Sequence, residues 1–220
     1  MNRRTAGIVG FIGAIVLLVG DMLLYGHWGS AADFWVDAHR VAEKASLARI
    51  YVGGLLGPVG AMLYLAGFWH IYLNTRQAGR FAARMILVGL TAMIVTGSAY
   101  HVLWGVRMLS FKYGLANVAG FNPFTDALGS YLETVFKASA APGYLVSAIL
   151  AVLVLMGRSR YPRWTVLANP GLLMLFGLLL GTSFFPAPVG AVIMGGYINL
   201  TFCVFFAVSI ITTWKKESDT

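Results

Sequence analysis

Six stretches of this chain are apolar for about 20 residues each, the length an α-helix needs to cross bilayer hydrocarbon. They run Ala6–Gly26, Arg49–Leu73, Arg84–Trp104, Ala138–Gly157, Thr165–Phe185 and Ala191–Thr213. In lipid every backbone N–H and C=O must be paired within the segment or in a closed barrel. Period-2 alternation is absent here, and the runs are too long for barrel strands. Only 11% of the residues are charged, against about 25% in a soluble domain. The expected fold is an all-α integral membrane protein, a six-transmembrane-helix bundle forming one membrane domain over residues 1–220.

The net charge of +8 does not point to nucleic acid, because the basic residues sit in short loops between apolar runs. One side collects Arg3, Arg4, Arg76, Arg80, Arg84, Arg158, Arg160, Arg163, Lys215 and Lys216. The other collects Arg40, Lys44, Arg49, Arg107, Lys112 and Lys137. This asymmetry predicts a bacterial-type inner membrane protein with both termini cytoplasmic. Arg3, Arg4, the first run and Ser30-Ala31-Ala32 have the outline of a signal peptide. The run is long for one and contains Asp21, so it reads as an uncleaved first span.

Two outer connections are long. In residues 31–48, Phe34, Trp35, Ala38, Val41, Ala42 and Ala45 recur at helical spacing opposite Asp33, Asp37, Arg40 and Lys44. That pattern predicts an amphipathic helix lying on the membrane surface. The second, residues 108–137, predicts another helical segment, with Asn122 as N-cap and Pro123 at the first helical position.

Position along a span gives depth, at 1.5 Å per residue. Asp21 lies roughly 24 Å up the first span and His101 roughly 25 Å up the third. Ser183, Tyr197 and Asn199 fall at roughly 22–27 Å on the last two spans. Gly57-Pro58 and Pro142, taken as breaks or bends, lie at a similar level. A charge in hydrocarbon costs about 2.5–3.5 kcal/mol on insertion scales, so Asp21 is expected to face protein or a wet cavity. The expectation is an outward-facing polar pocket.

Three residues supply its acid–base chemistry: Asp21, His101 and Glu133. Trp28, Tyr100, Trp104, Ser183, Tyr197 and Asn199 are the expected ligand-binding residues. Each polar group also has a plainer role open to it. Asp21 would pair with Arg49 or Arg107, His101 would tie helices together as a neutral ring, and Glu133 would form a rim salt bridge with Lys137.

Other chemistries fit less well. No histidine pair has the spacing of a dedicated metal site, and His70 and His101 are roughly 19 Å apart in depth, too far for a shared haem. Asp21, His101 and Ser183 supply the residue types of a hydrolase triad, but no histidine follows His101, as the intramembrane serine proteases require. No phosphate loop is present, and no cofactor is expected. The combined reading is a pocket for a small amphipathic or lipid-like ligand, in its strongest form a proton-transfer isomerase or hydrolase. The expected partners are membrane lipid and that ligand. A proton-coupled transporter, more plausible as a homodimer, and a non-catalytic subunit or sensor are the alternatives.

Overall fold

The computed structural model describes the backbone of residues 1–114 and 122–214, and their side chains apart from those of residues 35, 36, 122 and 178–184. Most of these residues are helical, and no strand occurs among them. The helices are α1 (Arg3–Leu24), α2 (Phe34–Lys44), α3 (Leu47–Thr75), α4 (Arg80–Lys112), α5 (Asn122–Leu155), α6 (Pro170–Phe184) and α7 (Gly190–Thr213). Five are long and apolar enough to cross a membrane: α1, α3, α4, α5 and α7.

The fifth apolar run of the sequence is not one helix. A 3₁₀ stretch covers Arg163–Ala168, and α6 then spans 15 residues, roughly 22 Å of rise. The division falls at Asn169-Pro170. The Asn169 side chain accepts from the Leu172 amide and donates to the Ser147 carbonyl, while Pro170 takes the first helical position, where its missing N–H costs nothing. The six-span count therefore stands at five by length.

Two other expectations differ from the structure. Gly57-Pro58 does not break its helix, since α3 runs continuously with Pro58 inside it. The third and fourth spans are longer than their apolar cores. α4 has 33 residues and α5 has 34, roughly 50 Å each, so the pair projects past a hydrocarbon core of about 30 Å.

Local chemistry sets the ends. Asn2 and Ser46 cap α1 and α3 by accepting from the amides of Thr5 and Arg49. Gly157, at φ 68°, closes α5. Its amide bonds to the Val154 carbonyl and the Arg158 amide to Leu153, a turn that needs the left-handed backbone glycine adopts without strain.

The long helices alternate in direction and close into a ring. α1 packs on α3, α3 on α4 and α4 on α5, α6 links α5 to α7, and α7 returns to α1. Arg4 Nη2 donates to the Trp214 carbonyl at 2.6 Å, so both ends of the described chain lie at one end of the bundle, the terminal end. The closest approach is α1 against α3. A Cβ at Gly10 would come 2.4 Å from the Gly67 Cα, so only glycine lets these backbones touch.

Between the helices, Tyr64, Phe68, Phe202, Phe205 and Phe206 form an aromatic core through the terminal half. At the opposite, distal end, α2 lies across the bundle. Its apolar stripe (Phe34, Ala38, Ala42, with Ala45 just beyond) is buried against protein, so the helix expected on the membrane surface instead caps the bundle. Lys112 Nζ holds it by donating to the Ala45 carbonyl at 2.6 Å.

Candidate functional site

Asp21 sits in the last turns of α1 and is 4% exposed. Its Oδ1 accepts from the Tyr25 hydroxyl at 2.5 Å, which the i, i+4 spacing on one helix face makes possible. The same oxygen receives His101 Nε2 from α4 at 3.1 Å. Oδ2 accepts from Asn199 Nδ2 of α7 at 2.7 Å. Asn199 Oδ1 in turn accepts from the Tyr64 hydroxyl of α3 at 2.8 Å. Side chains from four helices thus form one connected network, buried except at the half-buried Tyr25.

Three donors converging on one acid is the pattern of an ionised carboxylate, which offers only acceptors. It fixes the imidazole too. The proton belongs on Nε2, facing Asp21, and Nδ1 is left as a bare lone pair. Nδ1 is buried and has no hydrogen-bond partner among the described residues. A lone pair tolerates that better than an N–H would. The ring fits because α3 carries glycine beside it: a Cβ at Gly57 would stand 2.7 Å from the His101 Cβ.

This network lies on the wall of a cavity of about 410 Å³, within the size range of small-molecule sites. The cavity exists because α5 packs along α4 but stands away from α7. Its walls are mostly apolar. Leu17, Met93, Met174 and Phe202 line its terminal part, Tyr100, Trp104 and Tyr197 the middle, and Arg107 and the exposed Glu133 its distal end.

The residues singled out from sequence divide as follows. Asp21 binds both His101 and Asn199, and Tyr100, Trp104 and Tyr197 line the same cavity. Glu133 also lines it, with its carboxylate 2.7 Å from Lys137 and both side chains largely exposed. Trp28 is 74% exposed and does not line the cavity. The side chain of Ser183 lies outside the described residues.

Neither arginine proposed as a plain partner for Asp21 reaches it. Arg49 donates to the carbonyls of Met22, Leu23 and Gly26, satisfying the free C-terminal end of α1 and its dipole. Arg107 Nη1 donates to the Thr125 carbonyl at 3.2 Å.

One participant in the network escaped the sequence reading. Tyr64 carries a hydroxyl at mid-span, and a buried tyrosine hydroxyl needs a partner. That signal was present. His70, toward the terminal end of α3, is 1% exposed. It bonds the Arg3 carbonyl and Ser209 Oγ, and Ser209 reaches the Tyr161 hydroxyl. A second buried polar cluster therefore locks the terminal end.

The remaining histidines secure α2. His27 stacks on Phe34 and lies 3.8 Å from Asp37. His39 stacks on Phe111 at 3.8 Å. Burial lowers the His39 pKa from its usual value, the Arg107 cation lowers it further, and Glu43 opposes them.

One protein-family model, described as a family of unknown function (DUF6796), matches residues 1–216. Nothing among curated proteins or solved structures matches the chain.

Proposed function

The chain belongs to the DUF6796 family, and from the geometry above we propose that it is a multi-pass inner-membrane protein whose pocket binds a small amphipathic or lipid-like molecule. The terminal end faces the cytoplasm, where the short loops rich in arginine lie. The distal mouth of the cavity then opens outward. In this reading α6 crosses as a short sixth span, and residues 1–220 act as a single membrane domain.

One observation carries the reading: a buried Asp21–His101 pair at 3.1 Å on the wall of a cavity that is otherwise mostly apolar. Apolar walls with a few convergent polar groups suit a molecule that has both characters. The pair is within proton-transfer reach. Asp21 fixes the tautomer and orientation of His101, and a proton gained by the ring would be stabilised by the adjacent carboxylate. Proton transfer to a bound molecule is the chemistry this pair would add to binding. The aromatic core below the cavity favours a one-sided pocket over a path through the bundle.

The test is native mass spectrometry of the protein released from membranes in mild detergent. The wild type should retain a small amphipathic molecule at one copy per chain, and Ala140→Trp, which fills the cavity from α5, should lose it. No retained molecule, or equal retention by both proteins, would overturn the reading.

A further inference from the structure

We infer that Arg107 anchors an acidic head group, so that the pocket proposed above takes an amphipathic anion, a carboxylate or phosphate on an apolar chain. This rests on the pocket reading and adds the charge of its ligand.

Arg107 is the cation that lines the cavity. It is half-buried, and among the described residues no carboxylate lies within ion-pair distance of it. Its one hydrogen bond goes to the Thr125 carbonyl, which uses one of five guanidinium donors. At the mouth Glu133 is paired with Lys137, and Asp126 attracts Arg107 from beyond ion-pair distance. Deeper in, Asp21 accepts from three donors of its own. Among the described residues no carboxylate therefore occupies the open donors of the guanidinium.

The guanidinium is also held in place. It lies 4.9 Å from the Phe111 ring centre and 5.9 Å from that of Trp104, both within cation–π range. On its other side α5 carries Gly129, where a Cβ would come 2.7 Å from Nη1. A planar donor fixed between rings and backbone, with its remaining edges unused, is preorganised for a carboxylate or phosphate.

The spacing along α4 gives the rest of the ligand. Met93, Gly97, Tyr100, His101, Trp104 and Arg107 form one face of the helix and line the cavity. From Arg107 to His101 is roughly 9 Å, and to Met93 roughly 21 Å. An anion seated on Arg107 would place its apolar chain along the aromatic wall, past the Asp21–His101 pair and toward Met93 and Met174.

The experiment measures binding of palmitate, hexadecyl phosphate and 1-hexadecanol to the purified protein in detergent. The two acids should bind at least about tenfold more tightly than the alcohol, the size of one charge-assisted contact. Arg107→Gln should remove that preference while leaving hexadecanol binding in place, and Arg107→Lys should keep most of it. Lys44→Gln, which removes an exposed charge of the same sign outside the cavity, should change nothing. The ratio of palmitate to hexadecyl phosphate binding identifies the head group.

Equal binding of acids and alcohol to the wild type would overturn the inference and leave the pocket reading standing. So would an unchanged preference in Arg107→Gln. Failure of all three amphiphiles to bind the wild type would sink both.

Discussion

Replacing Asn199 by leucine would test whether the polar side chains act as one network. The substitution removes the bond to Asp21 Oδ2 and strands the Tyr64 hydroxyl, which is 0% exposed. A charge-assisted bond contributes about 1.5–3 kcal/mol, and a stranded buried polar group costs about 1–3 kcal/mol. Within membranes, measured interhelical hydrogen bonds are smaller, averaging about 0.6 and reaching about 1.7 kcal/mol. Weighing these, Asn199→Leu should destabilise the protein by about 2–3 kcal/mol. Tyr64→Phe should cost about 1 kcal/mol, because it leaves the Asn199 carbonyl without its donor. In the Tyr64→Phe background, Asn199→Leu no longer strands a hydroxyl. The double variant should then be more stable than the sum of the singles predicts, by about 1 kcal/mol. Unfolding the four proteins by SDS in mixed micelles, followed by helical circular dichroism, gives the cycle. Additivity within about 0.3 kcal/mol would refute the idea that the two bonds share Asn199 as a common element.

Topology is open to single-cysteine labelling, because Cys203 is the one cysteine to remove first. In a Cys203→Ser background, Ala32→Cys should react with an impermeant thiol reagent from outside intact cells and Gln77→Cys only after permeabilisation; the reverse would invert the proposed orientation. The docking of α2 should depend on pH. His39 has a depressed affinity for protons when docked, so the undocked form binds more protons, and docking is strongest above the usual value of about 6.5 and is lost as pH falls through the lowered value. Ala38, 1% exposed under α2, reports it: Ala38→Cys, in the same background, should label faster in acid, and His39→Phe should flatten the pH profile. A profile unchanged by His39→Phe would assign it to another group.

Depth was legible in the sequence, and direction around each helix was not. Rise per residue is fixed, so counting along the apolar runs put Asp21, His101 and Asn199 at one level, and the structure joins them. Which face a side chain occupies is normally read from an apolar stripe, and helices apolar on every side carry none. Tyr64 and the glycines that admit His101 were therefore missed. The extent of α4 was hidden for a related reason. Arg107 and Lys112 look like the start of a loop when charge marks the end of a span, yet here they continue the helix and hold Thr125 and α2. The break at Asn169-Pro170 was readable, as an N-cap followed by proline, but the hydropathy of the run masked it. For α2 the amphipathic pattern was correct. What it could not say was that protein rather than lipid would cover the apolar face.

The three donors to Asp21 are made at very different times. Tyr25 follows it by four residues and accompanies α1 from the start. His101 arrives 80 residues later and Asn199 178 residues later. An α1 newly placed in a membrane thus carries an acid with one partner out of three, and the last is synthesised with α7. A chain truncated before α7 leaves the Asp21 carboxyl without its Asn199 partner. Assembly of α1, α4 and α7 is registered at that one side chain, whose hydrogen bonds are complete only when the three helices are together.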